Sequence, residues 1–161
     1  MIIKETTSHH NGTKKTLSTK IVSENGQADI YELFLFAATK SDVEWSVIRA
    51  KKGGEEFFGI GTYHHTNTAP KVSKYNFTNA QTLAHIHNHP GDNGGTAAGE
   101  IDTMSGNRKI IKDYKRSYYT YVYMSDSGNL WEIDTKTIKP NYIRNIKNNY
   151  KRFFFGTLNS K

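Results

Sequence analysis

Three histidines alternate along one short segment, His85-Ile86-His87-Asn88-His89-Pro90, and that pattern constrains the chain more than any other stretch. In an extended strand, side chains at i and i+2 share a face, so His85, His87 and His89 project together. The strand predicted over residues 82–87 ends at His89-Pro90, because proline has no N–H for a ladder. Two imidazoles that close can grip one metal ion, and neutral imidazole is a good Zn²⁺ ligand. A catalytic zinc site takes three protein ligands and leaves one position to water. Four glycines in residues 91–99 let the next loop turn sharply, and two carboxylates follow it, Glu100 and Asp102. Either is a candidate third ligand beside His87 and His89.

Composition narrows the chemistry from the other side. The 161-residue chain holds no Cys, which excludes disulfides, cysteine zinc sites and cysteine nucleophiles. Its aromatic content of 12% supplies large core side chains and argues against disorder. The longest apolar run, residues 33–38, falls far short of the roughly 20 residues that a membrane helix needs. Residues 1–20 have no apolar core of signal-peptide type. The formal net charge of +7 suits nucleic acid, acidic proteins and anionic surfaces alike and selects none of them.

Residues 1–27 are rich in Thr, Ser and Lys and read as a loosely ordered lead-in, with an edge strand over 15–22. Residues 28–38 predict a helix with Ile30, Leu33, Phe34 and Ala37 on its buried face. Ser41 and Asp42 break it. Residues 43–63 predict a hairpin that turns at Lys51-Lys52-Gly53-Gly54. A polar loop follows, then the histidine strand. A helix is expected over 100–112, a second hairpin over 117–134, and a basic, aromatic helix over 141–155 that packs Phe153-Phe154-Phe155 on the core. The expected fold is α+β, a central mixed β-sheet flanked by helices, with residues 28–161 forming one domain. The pairs His9-His10 and His64-His65 read as solvated surface, since neighbours in a strand point to opposite faces.

The segment His87-Asn88-His89-Pro90, followed by a carboxylate, resembles the JAMM (MPN-plus, JAB) metalloprotease motif. "FAATKSDVEWSVI" with "HIHNHPGDNGGTAAGEID" looks closest to the JAB-like toxin domains of bacterial polymorphic toxins. The resemblance spans roughly residues 28–134. It implies a JAMM/MPN-like, cytidine deaminase-like architecture and a zinc-dependent peptidase or isopeptidase. It implies that Glu44, at the start of a strand after a helix, is the general base that moves a proton from water to the leaving amine. It also implies His87, His89 and Asp102 as the Zn²⁺ ligands.

Two departures qualify the resemblance. Family spacing from the second His falls on Glu100, and Asp102 lies two residues beyond it. Asp102 is favoured because it keeps the family's residue type. Where the family has a serine that stabilises the oxyanion, this chain has Gly99 or Ala97, and Thr96 or a backbone N–H would have to substitute. The implied partners are a protein or peptide substrate, with ubiquitin-like conjugates the family's best-known targets, and an immunity protein. The implied setting is a secreted effector acting in a recipient cytoplasm. One alternative is a binding module that keeps the fold without catalysis. Another is a metal-dependent nuclease, although HNH nucleases spread their three residues over about 30 positions rather than placing them consecutively.

Overall fold

The computed structural model describes residues 3–11, 14–21, 26–71, 75, 79–92, 118–134 and 139–147. Within them lie eight strands and one α-helix in the order β1 (Ile3–Asn11), β2 (Lys14–Ile21), α1 (Gly26–Lys40), β3 (Trp45–Lys52), β4 (Glu55–Thr62), β5 (Gln81–His89), β6 (Tyr119–Met124), β7 (Asn129–Asp134) and β8 (Lys139–Asn145), with a short 3-10 turn at Pro90–Asp92 after β5. The strands form one sheet in the order β1-β2-β4-β3-β5-β6-β7-β8. Every neighbour pairs antiparallel except β5 and β6, which run parallel. The sheet is therefore mixed, and the fold is α+β as expected.

The β3–β4 hairpin follows directly from its turn. Gly53 and Gly54 both have positive φ, 58° and 86°, as a two-residue type I′ turn requires. Such a turn matches the right-handed twist of the flanking strands, and the ladder runs from Lys52–Glu55 back to Trp45–Thr62.

Helix α1 packs on one face of the sheet. Its buried stripe is Ile30, Tyr31, Phe34, Leu35 and Ala38, set against Val47, Phe58, Ile60, Ala84, Ile86, Tyr121 and Tyr123. The stripe is turned from the expected one. Leu33 is 47% exposed, and Tyr31 takes its place. The aromatic rings decide this. Tyr31 meets Phe58 edge to face at 6.3 Å, and Phe34 meets Tyr123 likewise at 6.3 Å.

Two expectations are corrected at the chain's ends. The lead-in contains a hairpin, β1–β2, where a single edge strand was predicted. The basic helix over 141–155 does not begin as a helix, because Lys139–Asn145 is the edge strand β8. Ile143 and Ile146 have helical spacing, yet Ile143 reaches the core from a strand and Ile146 from just beyond it. Tyr142 packs edge-on against Trp131 of β7 at 5.4 Å. Pro140 is tolerated because an edge strand has one side with no ladder to feed. Phe153-Phe154-Phe155 and the helix expected over 100–112 lie outside the described residues.

Candidate metal centre

Strand β5 is central, with β3 on one side and β6 on the other. Its alternation sends Ala84 and Ile86 into the core beneath α1. His85, His87 and His89 therefore project from the opposite face. All three are buried, as are Glu44 and Ser46. Buried polar side chains in a row at the middle of a sheet mark a place where polar chemistry is gathered, since burying such groups is costly unless they are satisfied.

The three rings form a row. His85 and His87 stack at 5.7 Å, and His87 and His89 sit at 5.1 Å with their planes tilted by 49°. The tilt turns two ring nitrogens toward each other. His87 Nε2 lies 3.2 Å from His89 Nε2. That is within reach of one N–H···N hydrogen bond, whose direction the tautomers set. The same distance fits a shared metal: two nitrogens each about 2.05 Å from zinc, at the tetrahedral angle, stand about 3.3 Å apart.

The β3–β5 register brings Glu44 near this pair. Ser46 lies opposite His87. The ladder ends at that pair, and one residue beyond it the N–H of Trp45 donates to the Asn88 side chain at 2.7 Å, so Glu44 follows just past the last rung. Cross-strand neighbours on one face have Cβ atoms about 4.5–5.5 Å apart. The backbone of Glu44 is tied on both sides. Its N–H donates to the carbonyl of His65 at 2.8 Å, and its carbonyl accepts from Thr62 Oγ1 at 2.7 Å. His64 and His65 themselves are exposed, as expected. The carbonyl of His65 nonetheless helps to fix Glu44. His9 and His10 lie in β1.

Three neighbours escaped the sequence reading. Ser46 Oγ donates to the carbonyl of Pro70 at 2.8 Å and lies 2.6 Å from Tyr75 Oη, while Tyr75 Oη donates to the carbonyl of Ser46 at 2.8 Å. Burial pushes the Tyr75 hydroxyl far above the ordinary phenol range, against the opposing hydrogen bond with Ser46, so it stays a neutral donor. Ser46 could have been found by alternation from Glu44. Tyr75 stands in a polar loop and carries no pattern. The third such residue is Asn88, whose buried carboxamide faces away from the histidines.

The turn after β5 is built to leave the sheet sharply. Gly91 and Asp92 both have positive φ. The Asp92 carboxylate accepts from the N–H groups of Asp126 at 3.0 Å and Ser127 at 3.1 Å, and the N–H of Ser125 donates to the His89 carbonyl at 3.1 Å. The β5 exit is thus fastened to the β6–β7 turn. The site lies at the carboxyl ends of the parallel strands, where open α/β sheets place their ligands. A hollow lined by Ser41, Asp42, Gly91 and Ser125 opens at the same end.

The structure brings His87 and His89 together, with Glu44 buried just beyond the last β3–β5 rung. Glu100 and Asp102, with Thr96, Ala97 and Gly99, lie outside the described residues. Among the described residues no third carboxylate or imidazole completes a metal-holding group. No helix among them is long and apolar enough to cross a membrane.

A family model described as JAB-like toxin 1 matches residues 22–130, more than half of the chain. The match covers α1, β3 to β6 and every candidate site residue. No curated protein and no solved structure matches the chain. The family match, over the stretch that carries the glutamate and both histidines, makes this chain a member of the JAB-like toxin 1 family, a toxin domain of JAB type.

Proposed function

We propose that the chain is a zinc-dependent peptidase or isopeptidase, the effector portion of a bacterial polymorphic toxin. The 3.2 Å separation of His87 Nε2 and His89 Nε2 carries this reading. It fits the bite of one tetrahedral zinc, and Glu44 is buried just past the β3–β5 rung that pairs Ser46 with His87. His87 and His89 would hold the ion, with Asp102 as third ligand on the family's pattern. A zinc held there would supply an acidified water, with a pKa of about 7, and a Lewis acid for the substrate carbonyl. Glu44 takes the proton of the attacking water and gives it to the departing amine, so the peptide C–N bond breaks as the new C–O bond forms. The buried site excludes bulk water, which strengthens each of these interactions.

The fuller JAMM/MPN, deaminase-like architecture with helices on both faces belongs to this same reading. So do a protein or ubiquitin-like conjugate as substrate, an immunity protein as inhibitor, and action in a recipient cytoplasm. A second reading, a binding module without turnover, is favoured by Gly99 and Ala97 standing where the family has its serine.

The deciding experiment measures the metal content of the tag-free protein and of His87→Ala. About one zinc per wild-type chain, lost in the variant, is expected. No zinc in either, with zinc supplied at neutral pH, would sink the enzyme reading. Glu44→Gln should keep the zinc and lose activity about 10²–10⁴-fold. Full turnover in that variant would remove Glu44 from the mechanism.

A further inference from the structure

Asn88 sits between the two histidines of the pair but points the other way. Its side chain is fully buried. The carboxamide oxygen accepts from the N–H of Trp45 at 2.7 Å. The carboxamide nitrogen donates to Ser125 Oγ at 3.0 Å and, more weakly, to the carbonyl of Val43 at 3.4 Å. One amide group therefore grips the residue before Glu44 and the residue after it. Asparagine suits this task because only a carboxamide offers an acceptor and donors on one short, planar group. Ser125 adds a third point, which fastens the grip to the β6–β7 turn. The Glu44 segment and the histidine strand are thus joined by a side chain where the regular ladder stops.

We propose that Asn88 is a positioning residue that sets the place of the Glu44 carboxylate relative to His87 and His89. This rests on the hydrolase reading above. A strand has two faces, and residue 88 uses the second face to align what the first face needs. His87 and His89 present their nitrogens on one side, while Asn88 locks the neighbouring chain from the other. Without Asn88, Val43 to Trp45 would be held from the β4 side alone, by Glu44's bonds to His65 and Thr62 and the Trp45–Thr62 rung, and by the Trp45 indole on Ser41 at 2.9 Å. The glutamate would remain near the pair but lose its fixed stand-off. A misplacement of about 1 Å at a catalytic group can cost about 10²-fold in rate.

The test uses the full chain with zinc as the metal probe and 4-nitrophenyl acetate as a simple acyl substrate. Asn88→Ala is made alone and on the Glu44→Gln background. Expected in Asn88→Ala is zinc affinity falling by less than the roughly 10–100-fold typical of a lost ligand-orienting partner. Turnover should fall about 10²-fold with KM little changed, and by far less on the Glu44→Gln background. The Trp45 amide should exchange with solvent about tenfold faster. Equal rate losses on both backgrounds, or a well-folded Asn88→Ala with wild-type turnover, would overturn the proposal. Should Asn88→Ala fail to fold, Ser125→Ala removes one of the three grips and should show the same pattern in weaker form. A Ser125→Ala that leaves turnover and Trp45 exchange untouched counts against the proposal. A wild-type chain with no zinc-dependent turnover sinks the hydrolase reading instead. The exchange of Trp45 then still decides whether Asn88 holds the Glu44 segment.

Discussion

Gly59 and Tyr75 share a space that a methyl group and an aromatic ring cannot both occupy. A Cβ placed on Gly59 would stand 2.5 Å from Cδ1 of Tyr75 and 3.1 Å from Cγ2 of Ile48. The Tyr75 hydroxyl holds Ser46, and Ser46 faces His87 across the β3–β5 ladder. Gly59→Ala should therefore destabilise the fold by about 1–3 kcal/mol, the usual cost of overpacking. Urea unfolding reads this directly, and an unchanged midpoint would mean that the ring moves aside freely.

Alkaline pH should unfold this chain early. Burial raises the hydroxyl pKa values of Tyr31 and Tyr75, the largest cause in each, and does the same for Tyr121 and Tyr123. Below the unfolded value of about 10, both states keep their protons and the stability is intact. Above it, the unfolded chain releases protons that the folded chain retains, so stability falls as pH rises toward the folded values. Denaturation midpoints should drop on going above about pH 10. Tyr75→Phe should start less stable, for want of its hydrogen bonds, and show a shallower decline. Equal slopes in both proteins would remove Tyr75 from this account.

Zinc should stabilise the wild-type fold in proportion to its occupancy. A ligand at 100 times its Kd adds about 2.7 kcal/mol, provided that it does not bind the unfolded chain. For a chain of this size that corresponds to roughly 5–10 °C in Tm. His89→Ala should lose the shift altogether, since a single imidazole of the pair remains. A zinc-dependent rise of the same size in His89→Ala would place the ion elsewhere.

Asp102→Ala and Glu100→Ala separate the two candidate third ligands. Asp102→Ala should weaken zinc binding by well over the roughly 10–100-fold typical of an outer partner, and Glu100→Ala should change it little. Competition with a zinc chelator measures both. The reverse ranking would assign the ligand to Glu100 and keep the family spacing from His89.

Much of the site could be read from one-dimensional order. Alternation along His85–His89 is a property of any strand, so the shared face of the histidines needed only the strand itself. The positive φ values at Gly53 and Gly54 were likewise implied by a glycine pair between two β-rich runs. The helix stripe was less legible. Leu33 and Tyr31 both suit an apolar face, and only the position of Phe58 on the sheet decided between them. At β8 the spacing of Ile143 and Ile146 favoured a helix, because short apolar patterns serve either structure until a neighbouring strand offers its ladder.

The sequence alone determined that His87 and His89 share a face, that Glu44 precedes a strand, and that the family is JAB-like. Those properties depend on local geometry and on the order of residues. Tertiary structure alone decided that Ser46 comes to lie across from His87, that Tyr75 reaches Ser46, and that Asn88 grips both neighbours of Glu44. Each of these pairs residues tens of positions apart. The register of β3 on β5 and the packing of a loop against the sheet are set by the whole core, and no local pattern along the chain encodes them.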